Sequence, residues 1–200
     1  MKLMYLLGTV ALLSAEVACQ SDQESTQSPA PVSSSVYKEN DSRDVAPTTP
    51  NQNGARALAA SSSQQQDVLA LINQARSKPC QCGTVTYPAV PALVLAAQLN
   101  AASDKYAIDM ATYNRFSHTG RDGSQPWDRM SREGYVWRSA GENIAAGYST
   151  PQAVVDGWLR SPGHCKNMMS AAFRDIGIGY GYASTSTYRH YWVTDFGARQ

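Results

Sequence analysis

The sequence predicts an α+β domain preceded by a segment that does not fold, and three observations predict it. Apolar residues recur every three or four positions in three stretches between Val68 and Trp158, the spacing of amphipathic helices. After Ile176 the period drops to two, the alternation of antiparallel strands. Residues 20–62 show neither period. Helices first and a strand pair last is the order of an α+β layered domain.

The elements follow in chain order. Lys2 followed by the uncharged apolar stretch Met4–Ala15 reads as the start of an export signal, too short to cross a bilayer. Ala18-Cys19 resembles the lipobox of bacterial lipoproteins, in which the cysteine is lipidated, although Glu16 stands where that pattern takes an aliphatic residue. Cleavage by an ordinary signal peptidase near Ala15 or Ala18 is the alternative. The signal is assigned to residues 1–19. Residues 20–62, rich in Ser, Gln, Thr, Pro, Asp and Asn, cannot bury enough surface to offset their ordering entropy. As a coil they would reach about 35 Å and tether the domain at 63–200.

Val68, Leu71, Ile72 and Ala75 make the first helix, which the Ser-rich start or Asp67 could cap. Leu95, Leu99, Ala102, Tyr106, Met110 and Tyr113 form the longest apolar stripe and the second helix. Thr150-Pro151 opens a third, with Thr as N-cap and Pro at the first helical position, ending at Ser161-Pro162-Gly163. Ile176, Ile178, Tyr180 and Tyr182 alternate with Gly177, Gly179 and Gly181, so one strand face is large and the other bare. A packed neighbour approaching closely explains such a glycine series better than a nucleotide loop does. Tyr188, His190, Trp192, Thr194 and Phe196 line one face of the last strand, joined to its neighbour by a hairpin loop at 184–187.

A net charge of +1 removes the electrostatic case for nucleic-acid binding, and no apolar run reaches the eighteen residues of a membrane span. Chemistry is concentrated in the chain's three histidines, His118, His164 and His190, and in Glu142. The spacing 118–142–190 carries no local metal signature such as His-Glu-x-x-His. Ser117 lacks the elbow context of a hydrolase nucleophile, and Arg121-Asp122-Gly123-Ser124 reads as a turn.

Phe116-Ser117-His118, Gly141-Glu142-Asn143-Ile144-Ala145, Trp158 through Asn167, and His190-Tyr191-Trp192 with Asp195-Phe196-Gly197 occur in this order. In these stretches residues 66–198 resemble the CAP superfamily (cysteine-rich secretory proteins, antigen 5, pathogenesis-related-1), specifically its bacterial branch. The resemblance implies a three-layer α-β-α sandwich around a small central antiparallel sheet. It also implies a central cavity in which His118 and His190 match the family's two histidines and Glu142 its first glutamate. Ser161 stands at the second glutamate's position, with His164 brought nearby instead, so the full tetrad is absent.

By this resemblance His118 and His190 could hold Zn²⁺ or another divalent ion beside Glu142. The same three side chains could equally be a hydrogen-bonded cluster that fixes a groove. The implied protein is exported to the bacterial envelope or beyond and binds a lipid, an envelope component or another protein. Its only attachment to a membrane would be a lipid at Cys19. The alternative is a metal-dependent hydrolase with Glu142, His118 and His190 as its catalytic group. Export permits disulfides. Related bacterial sequences imply Cys82–Cys165, with Cys80–Cys165 as second choice.

Overall fold

The first helix of the computed structural model, which describes residues 59–200, starts earlier than its apolar stripe. The expected signal, Cys19 and nearly all of 20–62 lie outside the described residues. Helix α1 spans Ser62–Arg76 and is capped by Ser61, whose side chain accepts from the Gln64 amide while Gln64 reaches back to the Ser61 amide. That reciprocal pair satisfies two free amides, so Asp67 sits inside the helix and is not the cap. A small hairpin, β1 (Cys80–Cys82) with β2 (Val85–Tyr87), and the two-residue β3 (Val94–Leu95) follow. Leu95 therefore ends a strand. Helix α2 runs Ala97–Thr112 and buries Leu99, Ala102, Tyr106 and Met110, with Tyr113 just past its end.

Helix α3 (Pro126–Arg132) and strand β4 (Trp137–Ala146) precede α4 (Pro151–Arg160). Thr150 caps α4 by accepting from the Ala153 amide, and Pro151 is its first residue. The Ser-Pro-Gly that ends α4 also begins α5 (Pro162–Met168), since Pro suits a first helical position as well as a stop. Strands β5 (Asp175–Tyr182) and β6 (His190–Arg199) close the chain. Tyr188 lies in the loop before β6 and is partly exposed.

The main sheet has the order β3-β5-β6-β4, antiparallel except for the short parallel pair β3–β5. One face packs on α1 and α4 through Val68, Ile72, Val154, Trp158, Ile178, Trp192 and Phe196. The other packs on α2 through Tyr106, Met110, Ile144, Tyr191 and Val193. This is the α-β-α sandwich. The glycine series sets the spacing of the second layer: a Cβ at Gly177, Gly179 or Gly181 would land on the α2 backbone at Leu99, Ser103 or Ala107. Here the expectation of a close neighbour is met, and the neighbour is main chain.

Candidate functional site

Strand β4 is an edge strand, and alternation sends its side chains to both layers. Ile144 and Ala146 pack on the α2 side, while Ala145 packs on the α4 side. By the same alternation Glu142 faces the α2 layer, and there it meets two groups carried past α2. His118 comes from the segment after the helix, before the turn at 120–124 in which the Ser124 amide donates to Asp122 Oδ1. Arg129 comes from α3.

Glu142 is spoken for on both oxygens. Its Oε1 is 2.7 Å from His118 Nδ1, and its Oε2 accepts from Arg129 Nη2 at 2.6 Å. The carboxylate is 1% exposed, while the His118 side chain keeps 34%. Arg129 also donates from Nη1 to the Ser124 carbonyl and lies 3.5 Å over the Tyr106 ring. Opposite Glu142 in the sheet stands Asp195, fully buried, with Ser103 Oγ donating to it at 2.9 Å. Burial, and then the charge of Glu142, pushes the Asp195 carboxyl well above the usual carboxylate range.

From the opposite layer α5 brings His164 to the same edge. Asn143 Nδ2 donates to the His164 carbonyl, and Asn167 Nδ2 donates to the Glu142 carbonyl and to Asn143 Oδ1. The two asparagines thus fasten α5 to β4. Burial, and secondarily the charge of nearby His118, pushes the His164 imidazole down to about 4, so it is neutral at ordinary pH. Its Nδ1 is buried with no hydrogen-bond partner.

That depression has a sign. An unfolded chain would protonate His164 near the ordinary 6.5, whereas the folded form resists down to about 4. Stability attributable to His164 is therefore complete above 6.5 and is lost as pH falls through that window, by roughly 2–3 kcal/mol. Asp195, raised in the folded state, acts in the opposite sense in acid. The comparison is consequently a difference: urea melts of wild type and His164→Gln in EDTA should diverge between pH 4 and 6.5, with the variant losing less. Parallel curves would remove His164 from the acid limb.

His190 does not join the group, which corrects the expectation for a shared His118–Glu142–His190 site. Glu142 pairs with Asp195, five residues along β6 from His190, about 16 Å at the usual strand rise. Parity also places His190 on the face of Trp192 and Phe196, the α1/α4 side. There its Nδ1 is 2.7 Å from the Tyr180 hydroxyl, and its ring packs against Tyr182. Ser161 is buried at the α4–α5 junction, its Oγ without a hydrogen-bond partner, so it takes no part in the His118–Glu142 bonds. Arg129, Asp195, Asn143 and Asn167 were not picked out as site residues. Pro126 with Asp128 two residues later could have marked α3 as a helix start, but nothing local ties Arg129 to Glu142.

Among the described residues, the one group of three Cys, His, Asp or Glu ligand atoms lying within 4.8 Å of one another is Cys80, Cys82 and Cys165. Cys82 and Cys165 are joined as a disulfide, their Cα atoms 5.5 Å apart, and so are not thiolate ligands.

The sequence profile of the cysteine-rich secretory protein family, CAP, matches residues 69–196. The uncharacterized protein YkwD of Bacillus subtilis (strain 168) is 43% identical over 72 residues, 36% of this chain and 28% of that protein. An extracellular protein containing an SCP domain from Bacillus anthracis str. Ames superposes with a TM-score of 0.56 at 28% identity, over 69% of this chain and 41% of that one. An outer surface protein from Borrelia burgdorferi superposes with a TM-score of 0.51 at 23% identity, over 56% of this chain and 80% of that one, a likeness of fold. The chain thus spans less than half the length of the two Bacillus proteins.

Proposed function

The chain belongs to the CAP family of cysteine-rich secretory proteins, and from that premise we propose that it works outside the cytoplasm as a binding protein, at the surface where Glu142 holds His118 and α5 brings His164 near that histidine. The observation that carries this reading is the double engagement of Glu142. A general base must reach the proton it removes. A carboxylate 1% exposed, with His118 on one oxygen and Arg129 on the other, orients an imidazole instead. That weighs against hydrolysis with Glu142 as base.

A carboxylate on one ring nitrogen of a histidine is also the arrangement that aims the other nitrogen at a divalent ion. The donor set fits such an ion modestly. His118 Nε2 and His164 would hold it, two protein ligands where catalytic zinc sites use three, so the remaining positions would fall to solvent or ligand atoms. The ion would supply an attachment point for an oxygen or nitrogen of the bound molecule. A lipid, an envelope component or a protein is the ligand class this reading takes. Location outside the cell is supported by the extracellular SCP-domain relative and by the signal-like residues 1–19. Membrane attachment rests on Ala18-Cys19 alone.

Calorimetric titration with Zn²⁺ tests the site. One equivalent should bind, at least tenfold more weakly in His118→Ala and in His164→Ala, and unchanged in His190→Ala. Dependence on His190 with indifference to His164 would overturn the assignment. Peptide hydrolysis that disappears in Glu142→Gln would favour the hydrolase.

A further inference from the structure

Beside this group, and sharing Arg129 with it, lies a cavity of about 420 Å³ between α2, the 120–124 turn and α3. Its floor is the buried set Ala102, Tyr106, Ser124 and Arg129. Its rim is a closed ring of three ion pairs, each joining two of the three walls. Lys105 of α2 meets Glu133 just past α3 at 2.6 Å; Arg132 of α3 meets Asp122 of the turn at 2.6 Å; Arg121 of the turn meets Asp109 of α2 at 3.5 Å.

The rim is charge-balanced, so the floor decides what the cavity prefers. There the one charged group is Arg129, whose partner Glu142 does not line the cavity. Four cations against three carboxylates therefore face the space. Two nitrogens of Arg129 are engaged, by Glu142 and by Ser124, while Nε is buried with no acceptor, an arrangement that is costly to leave unmade. Tyr106 and Ala102 supply apolar floor, and the volume falls within the range of small-molecule sites.

We propose that this cavity is a second binding site, for a small monocarboxylate with an apolar body, whose carboxylate takes the Arg129 guanidinium while its body lies against Tyr106 and Ala102. A charge-assisted bond to a guanidinium that is itself largely buried is stronger than the same bond in open water. The rim pairs are exposed and screened, so preference for an anion over a neutral molecule of equal shape rests on the charge-assisted bond to Arg129.

Benzoate and benzamide share shape and differ in charge, which makes them the probes. In a ¹H–¹⁵N titration of the full chain, benzoate should shift the Ala102, Gly120 and Ser124 amides saturably, and benzamide should bind at least tenfold more weakly. Arg129→Lys should weaken benzoate at least tenfold. Because that change also touches Glu142, Ala102→Met provides an independent arm: it fills the floor, leaves Arg129 in place and should abolish the saturable shifts. Equal affinity for the two probes, unsaturable shifts confined to the exposed Arg121 and Arg132, no shifts at all, or undiminished benzoate binding in Ala102→Met would each overturn the proposal.

Discussion

Arg129→Met should destabilise the domain by about 3–5 kcal/mol at neutral pH, the range for a buried ion pair stripped of one partner. Glu142 is almost wholly enclosed, and Arg129 is its one cationic partner at 2.6 Å besides the hydrogen-bonded His118. Met keeps much of the side chain's bulk over the Tyr106 ring, so the loss is electrostatic more than steric. Removing the guanidinium leaves the Glu142 carboxylate facing the buried Asp195 carboxyl across the strand pair, and leaves the Ser124 carbonyl without its donor. The double variant Arg129→Met/Glu142→Gln tells these costs apart. A neutral amide needs no counter-charge, so the double change should recover more than half of the loss in denaturant melts. A single variant within 1 kcal/mol of wild type would mean that Glu142 does not depend on Arg129 for its place in the sheet.

How far the sequence foretold this arrangement depends on whether each feature is written locally. Helix α4 was legible down to its cap because Thr150-Pro151 and the Val154–Trp158 stripe all lie within one stretch. The β5–β6 hairpin was legible from period two and a short loop, and the bare glycine face correctly announced a close neighbour. The Cys82–Cys165 pairing followed from resemblance to related sequences. Parity could have been applied to His190 as well: Asp195 is an odd step of five positions further along, which puts the two on opposite faces of β6. What the sequence could not show was the partner strand's register, which alone brings Asp195, and not His190, opposite Glu142. Arg129 stayed hidden for a related reason. Helix α3 is seven residues long, too short for a readable stripe, and its contact with β4 is made only once the layers have closed.

Breaking the disulfide through Cys165→Ser should cost nearly as much as losing Arg129. The bond joins residues 83 apart in sequence. Closing a loop of that length removes unfolded-state entropy worth about 4.5 kcal/mol in the chain-entropy account. The expected loss is somewhat smaller, about 3–4 kcal/mol, because Ala75, Cys80, Cys82 and Met169 still pack around the position and Arg76 still holds the far end of α5 through the Ser170 carbonyl. Cys165 is the informative choice, since Cys80 Sγ also lies only 3.8 Å from its sulfur and both pairings considered for this chain pass through it. Guanidinium melts with and without reductant measure the effect, and two signatures belong to the entropic mechanism. The m-value should rise, because the uncrosslinked chain expands further on unfolding, and reductant should destabilise the wild type by more than it does the variant. A variant as stable as oxidised wild type, with an unchanged m-value, would show that the bridge does not restrain the unfolded chain. The attachment of α5, and with it the position of His164 near His118, would then rest on Asn143, Asn167 and Arg76.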